Sequence, residues 1–237
     1  MSDATRAAAA ERIRRVARDL GPSRELVVFI GGTVLPLLVN VDARFDSPRP
    51  TKDVDAVAAT ASYSQMGRLE AALRAAGFRN APGRHAQRWR TPSGEFFDLS
   101  FAGAHTGGTG SPVDALAIET ALVLDGDPPI RHVSGLGLFL MKTSAFADRG
   151  RDVPFESKDL ADLAVLLCGR STLEAEADAA LTEVRAAMVS AAQSLLATAD
   201  LVGALRDHFR DRRPIPPDTP ADLAAEAIDL LQRLALR

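Results

Sequence analysis

Asp53 and Asp55, two positions apart, are the residues whose type and spacing point most directly to chemistry. They open the run DVDAVAA, Asp53 to Ala59, whose valines and small residues suit a strand, so both carboxylates face one side. Carboxylates placed side by side repel each other and destabilise a strand unless a cation or solvent screens them. Magnesium resolves that conflict, because it takes oxygen ligands and leaves positions open for phosphate oxygens. Upstream, the apolar run Leu26 to Ile30 reads as a buried strand and stops at Gly31-Gly32. Glycines let backbone N–H groups approach an anion closely, and a helix beginning behind them adds partial positive charge. Alone, a Gly-Gly pair is a tight turn and an Asp-x-Asp a surface acid. Their order and separation together suggest a metal-dependent nucleotide site.

A third carboxylate is available. Glu95 to Phe101, EFFDLSF, alternates so that Phe97, Leu99 and Phe101 share one face while Phe96, Asp98 and Ser100 share the other. Asp98 can therefore join the first two acids, although a lone acid on an exposed strand face is commonplace. Thr51, two residues before Asp53, either starts the strand through its β propensity or contacts the triphosphate and metal shell. Between Arg74 and Arg90 stand Arg74, Arg79, Arg84, His85, Arg88 and Arg90, with Trp89 interleaved and no acid among them. That cluster is either a solvated hairpin rim or a cradle for a triphosphate or an RNA backbone. The loop HTGGTGS, His105 to Ser111, lacks the Walker lysine and spacing and reads as a flexible connector.

The elements that must position these residues follow from periodicity. Ala4 to Leu20 carries Ile13, Val16, Ala17 and Leu20 at helical spacing, and Gly21-Pro22 ends it. A helix is expected over Val34 to Val41, with Pro36 in its first turn. Further helices are expected over Ser62 to Gly77 and Asp114 to Leu124, and a short strand over Ile130 to Val133.

Gly31-Gly32-Thr33 with Leu35, followed by Arg49, Thr51, Asp53, Val54 and Asp55, resembles the G-G-T-x-L and R-x-[ST]-x-D-[IV]-D blocks of AbiEii/MenT-type nucleotidyltransferases, in the polymerase-β-like superfamily. The joining stretch, Val34 to Pro48, is longer than that family pattern. A second block, Leu138 to Leu167, resembles the pattern in which a lysine-bearing helix precedes one beginning K-D-x-x-D-L. Lys142 sits in an apolar stretch, where its stem either snorkels or carries its head to an anion. Asp159 and Asp162, three apart on one helix, are either ordinary helix-start and surface acids or, as the resemblance implies, members of the active centre. Asp159 is the first choice, as a partner that orients Lys142 or contacts the nucleotide.

Beyond Arg170 the chain is Ala-rich, with helices expected over Leu173 to Thr198, Asp200 to Arg210 and Pro220 to Leu236. Thr219-Pro220 is an N-cap and first-turn pair for the last. Arg206, Arg210, Arg212 and Arg213 read as a second basic cluster, either a solvated face or, near the cleft, a guide for a polyanion.

Composition sets the frame. With 237 residues and 46% hydrophobic content the chain can bury a substantial core. One cysteine, Cys168, excludes an internal disulfide, and four histidines show no zinc spacing. A net charge of -3 argues against a globally basic nucleic-acid binder. No apolar run reaches membrane-spanning length, so a cytoplasmic protein with no membrane partner is expected.

The expected fold is α+β, a polymerase-β-like nucleotidyltransferase core with a mixed sheet flanked by helices, and a C-terminal helical region. Residues 1–134 would form the core with its N-terminal helix, and 135–237 a helical domain contributing Lys142 and Asp159. The resemblance implies magnesium-dependent transfer of an NMP from an NTP to an acceptor hydroxyl, with a tRNA 3′ end as acceptor. It also implies the toxin of a toxin–antitoxin pair and a cognate antitoxin. Asp53, Asp55 and Asp98 would bind two metal ions, and Thr51, Lys142 and Asp159 would complete the catalytic set. Gly31, Gly32, Thr33, Arg49 and Asp162 would hold the nucleotide. The competing readings are transfer to a small molecule or protein hydroxyl, and an inactive nucleotide-binding module.

Overall fold

The alternation of apolar and polar residues that predicts strands around Asp53 and Asp98 is realised in a computed structural model. It describes residues 2–40, 44, 51–59, 62–81, 87–102, 112–212 and 214–237. In chain order the elements are α1 (Asp3–Leu20), β1 (Val27–Ile30), α2 (Leu35–Leu38), β2 (Asp53–Ala59), α3 (Tyr63–Ala75), β3 (Arg79–Asn80), β4 (Arg88–Arg90) and β5 (Phe96–Ala102). Then come α4 (Pro112–Glu119), β6 (Leu122–Leu124), β7 (Ile130–His132), α5 (Gly135–Arg149), α6 (Lys158–Gly169), α7 (Leu173–Ala179), α8 (Thr182–Leu196), α9 (Leu201–Asp211) and α10 (Pro220–Ala235). The chain divides into two compact units, one of Ala7–Val34 and Pro50–Gly137, the other of Met1–Arg6, Leu35–Arg49 and Leu138–Arg237.

The first unit holds a seven-stranded sheet of order β3-β4-β5-β2-β1-β7-β6. It is mixed: β2 pairs parallel with β5 and β1 parallel with β7, while the remaining neighbours are antiparallel. The fold is thus the α+β class expected, a mixed sheet flanked by helices. Val54, Ala56, Phe97, Leu99 and Phe101 are buried with Val28, Phe29 and Trp89. From α1, Ile13, Val16, Ala17 and Leu20 are buried at the predicted period. Ser62 caps α3 by accepting the Gln65 amide N–H. The helix expected over Asp114 to Leu124 stops at Glu119. The Thr120 hydroxyl donates to the Leu116 carbonyl at 2.8 Å, and Leu122 to Leu124 instead pairs with β7. Cross-strand pairing outweighs the helical propensity of that short segment.

The second unit is helical, and α6 lies at its centre: every residue from Asp159 to Gly169 is buried. Its apolar residues pack against α9 and α10, a helix buried all round being the hallmark of a core position. The helix expected over Val34 to Val41 is only the four residues of α2, because the Asn40 amide N–H donates to the Gly169 carbonyl at 2.9 Å instead of extending the helix. The single helix expected over Leu173 to Thr198 is two. Ala180 and Leu181 are extended, and Arg185 donates to the Asp178 and Ala180 carbonyls that the break exposes. α10 carries the predicted cap, a reciprocal pair in which Thr219 and Asp222 satisfy each other's backbone N–H. Burial pushes the Cys168 thiol up to about 12, so it packs as an apolar group. Arg212 is buried, so it is no part of a solvated basic face. No single helix among the described residues is long and apolar enough to cross a membrane.

Candidate active site

The acidic face is built by the parallel pairing of β2 and β5, whose register sets Asp53 opposite Phe96 and Asp55 opposite Asp98. Since Val54 and Ala56 on one strand and Phe97 and Leu99 on the other are buried, the period of two turns Asp53, Asp55 and Asp98 to the other face. β4 then pairs antiparallel with β5 and places Arg88 opposite Asp98. The Arg88 guanidinium donates Nε to Asp98 Oδ1 at 2.7 Å and Nη2 to Asp98 Oδ2 at 2.5 Å. The same Nη2 reaches Asp53 Oδ2 at 2.6 Å. One cation thereby bridges two of the three acids, with its charge lying 5.5 Å from the centre of the Phe96 ring. The hydrogen bonds to Asp98 hold the guanidinium even more firmly protonated than usual.

The glycine turn touches the third acid. Gly31 to Val34 is a turn closed by the Val34 N–H and the Gly31 carbonyl at 3.3 Å, with Gly31 at φ +76°. A Cβ on Gly31 would stand 2.3 Å from Asp55 Oδ2, so the backbone lies directly against that carboxylate. The turn is therefore needed twice, for a left-handed φ and for close approach. Behind it runs a chain of hydroxyls. Arg12 Nη1 donates to the Thr51 hydroxyl at 3.1 Å and to the Thr51 carbonyl at 2.8 Å. The Thr51 and Thr33 hydroxyls are 2.9 Å apart, and Thr33 donates to the Asp53 carbonyl at 2.8 Å. Only one proton order satisfies all of these, with Arg12 donating to Thr51, Thr51 to Thr33 and Thr33 to Asp53. Glu95 anchors Arg12 at 2.9 Å and also pairs with Arg15. α1 is thus tied to the segment leading into β2.

The helical unit holds a second charged cluster. Lys142 on α5 places Nζ 3.0 Å from Asp159 Oδ1 and 2.8 Å from Asp162 Oδ2, both on α6. Arg149 Nε lies 2.9 Å from Asp159 Oδ2, and Arg212 Nη2 is 4.0 Å from Asp162. The side chains of Lys142, Asp159 and Asp162 are 12%, 6% and 3% exposed, so this is an interior network rather than surface pairing. Burial opposes the Lys142 charge, but Asp162 and Asp159 outweigh it and hold the ammonium pKa above its usual range. Burial likewise works against the Asp159 anion, and Lys142 with Arg149 overcomes it, leaving the pKa lowered. Asp159 and Asp162 share Lys142, so the choice between them dissolves at the level of contacts.

Of the residues singled out in the sequence, Arg49 lies outside the described residues, as do Arg84, His85 and the loop His105 to Ser111. Three partners escaped that reading. Arg12 and Glu95 carried no local signal, because their contacts join positions 83 residues apart. Arg149 is the last residue of α5 and reads as an ordinary terminal cation. Arg88 belonged to the noted basic cluster, and the alternation Arg88-Trp89-Arg90 opposite Phe96-Phe97-Asp98 was the signal that aligns it with an acid.

The carboxylates offer oxygen donors only, which suits a hard divalent cation and not a soft one. Among the described residues no three Asp, Glu, His or Cys side chains converge as a ready-made metal-binding group, and Arg88 engages both oxygens of Asp98 and Oδ2 of Asp53. A mixed sheet bearing acids beside a Gly-Gly turn fits a nucleotidyltransferase core. More narrowly, residues 15–234 match the model of the nucleotidyl transferase AbiEii toxin family of Type IV toxin–antitoxin systems, and the chain belongs to that family. Comparison with curated proteins finds no match.

Proposed function

We propose that the chain moves a nucleoside monophosphate from an NTP to an acceptor hydroxyl, releasing pyrophosphate, and that the acceptor is a tRNA 3′ end. Family membership supports a nucleotidyltransferase acting as a toxin. The observation that carries the finer reading is the register that sets Asp98 beside Asp55, on the same face as Asp53 and next to the Gly31 turn. Asp53, Asp55 and Asp98 are the residues that would hold magnesium, their carboxylates being hard oxygen donors. When bound, the metal supplies Lewis acidity at the attacking and leaving oxygens of an in-line displacement. Asp98 also orients the acceptor hydroxyl. Gly31 and Gly32 present backbone to the phosphates, Thr33 and Thr51 fix the backbone of Asp53, and Arg49 contacts the nucleotide. Lys142, oriented by Asp159 and Asp162 within the helical unit, is the cation that the family resemblance assigns to charge neutralisation.

In this reading 1–134 is the nucleotidyltransferase core and 135–237 a helical domain, working in the cytoplasm under the control of a cognate antitoxin protein. Incubation with each α-labelled NTP and magnesium, with total RNA or without it, tests the assignment. Label on RNA is expected, and Asp53→Asn should lower it roughly 100-fold or more, since even outer-shell changes at metal sites cost 10–100-fold. Label on the protein or a small acceptor would transfer the assignment to that acceptor, and no label under any condition would leave a binding module.

A further inference from the structure

Three acids on one sheet face form a site for cations in general, and this chain brings a cation of its own. Arg88 makes a two-pronged contact with Asp98 and a single contact with Asp53, all within 2.7 Å. It reaches them from β4, whose pairing with β5 sets it directly opposite Asp98. The oxygens it engages belong to two of the three acids assigned above to a divalent ion. A guanidinium and a dication cannot share the same lone pairs, and their like charges repel at that range. The Arg88 side chain is 24% exposed and that of Asp53 28%, so solvent and ions reach the contact. Arg88 and Arg90 both lie over Phe96, at 5.5 and 4.6 Å from its centre, and that ring offers Arg88 an apolar surface beside which its stem can turn.

Resting on the assignment of Asp53, Asp55 and Asp98 as metal ligands, we infer that Arg88 is an internal counter-cation that competes with the divalent metal and gives up Asp53 and Asp98 when the metal–triphosphate enters. In the absence of nucleotide it screens the acids and holds affinity for free metal down. With nucleotide bound, the released guanidinium turns to the triphosphate, whose charge replaces that of the carboxylates it leaves. Metal and nucleotide therefore bind with positive coupling, and Arg88 transmits it.

Titration of the full chain with Mn2+, read by the EPR signal of the free ion, tests this without any turnover. Arg88→Gln is expected to bind Mn2+ at least tenfold more tightly than the unaltered protein when nucleotide is absent. A non-hydrolysable NTP analogue is expected to tighten Mn2+ binding strongly in the unaltered protein and only weakly in the variant. Arg88→Lys, which keeps the charge but not the two-pronged geometry, should fall between them and serves if the glutamine variant does not fold. Equal or weaker Mn2+ binding in both variants overturns the competition. Asp53→Asn separates the two levels of the claim. If it leaves Mn2+ binding unchanged, the metal-ligand assignment itself fails, whereas loss of binding in Asp53→Asn with no gain in Arg88→Gln overturns the competition alone.

Discussion

Gly31 and Asp55 constrain one another at atomic range. A methyl group at position 31 would meet the Asp55 carboxylate at 2.3 Å and would also force an L-residue to φ +76°. Gly31→Ala should lose roughly 1–2 kcal/mol from the backbone alone, measured by urea unfolding, and lower transfer by more than that loss explains, because Asp55 must move. Lys142 sits where a different balance rules. Its removal as Lys142→Met leaves two buried acids short of a cation, and unfolding should be easier by roughly 3–5 kcal/mol. The sign of the pH effect follows from the two shifts. The raised Lys142 pKa gives stability complete below the ordinary lysine range and lost as pH climbs through the higher folded value. The lowered Asp159 pKa gives stability complete above the ordinary carboxylate range and lost as pH falls through the lower folded value. Stability measured against pH should thus show a plateau between those ranges, and in Lys142→Met, where the ammonium no longer holds the Asp159 pKa down, the acid-side loss should be shallower. At this scale the sequence disclosed which acids share a face, since the alternation within each of two separate runs turns Asp53, Asp55 and Asp98 away from the buried apolar residues. It did not disclose what neutralises them, because Arg88 meets Asp98 and Asp53 only once β4 has paired with β5.

α6 sets the positions of two charged residues through its own start. Ser157 caps it, accepting the Leu160 N–H at 3.2 Å, and Asp159 follows in the first turn. Ser157→Ala should cost about 1 kcal/mol in unfolding free energy, and because the helix start carries Asp159, the acid edge of the pH profile should broaden as well. The elements that periodicity defined well, α1, β2, α3, β5 and α10, are those with one buried face and a clear cap or breaker. Where the sequence reading failed, a long-range partner decided the outcome. β6 exists because β7 is beside it, and α2 ends because Gly169 takes the Asn40 amide. The break between α7 and α8 is hidden in an Ala-rich run, and it is Arg185, from the following helix, that satisfies the carbonyls there.

At the scale of the whole molecule a net charge of -3 excludes indiscriminate attraction to RNA, so binding has to come from local cations. Arg74 lies over Trp89 at 5.2 Å, and Arg79 is the register partner of Arg90, so three arginines of the noted cluster sit around one hairpin. Three phosphate contacts on single-stranded RNA predict a log–log salt slope of about -2, measured by fluorescence anisotropy, and Arg79→Ala with Arg90→Ala should flatten it.

The acids that define the site are also far apart in sequence. Asp55 meets Asp98 only through a parallel strand pair, and Phe29 meets His132 across a still longer separation. Such contacts form late, because the intervening chain must first be closed into a loop. If Asp98 carries the chemistry proposed for it, a newly made chain should stay inactive until β5 has left the ribosome and docked, and refolding from urea should regain its helical signal before it regains any catalytic turnover.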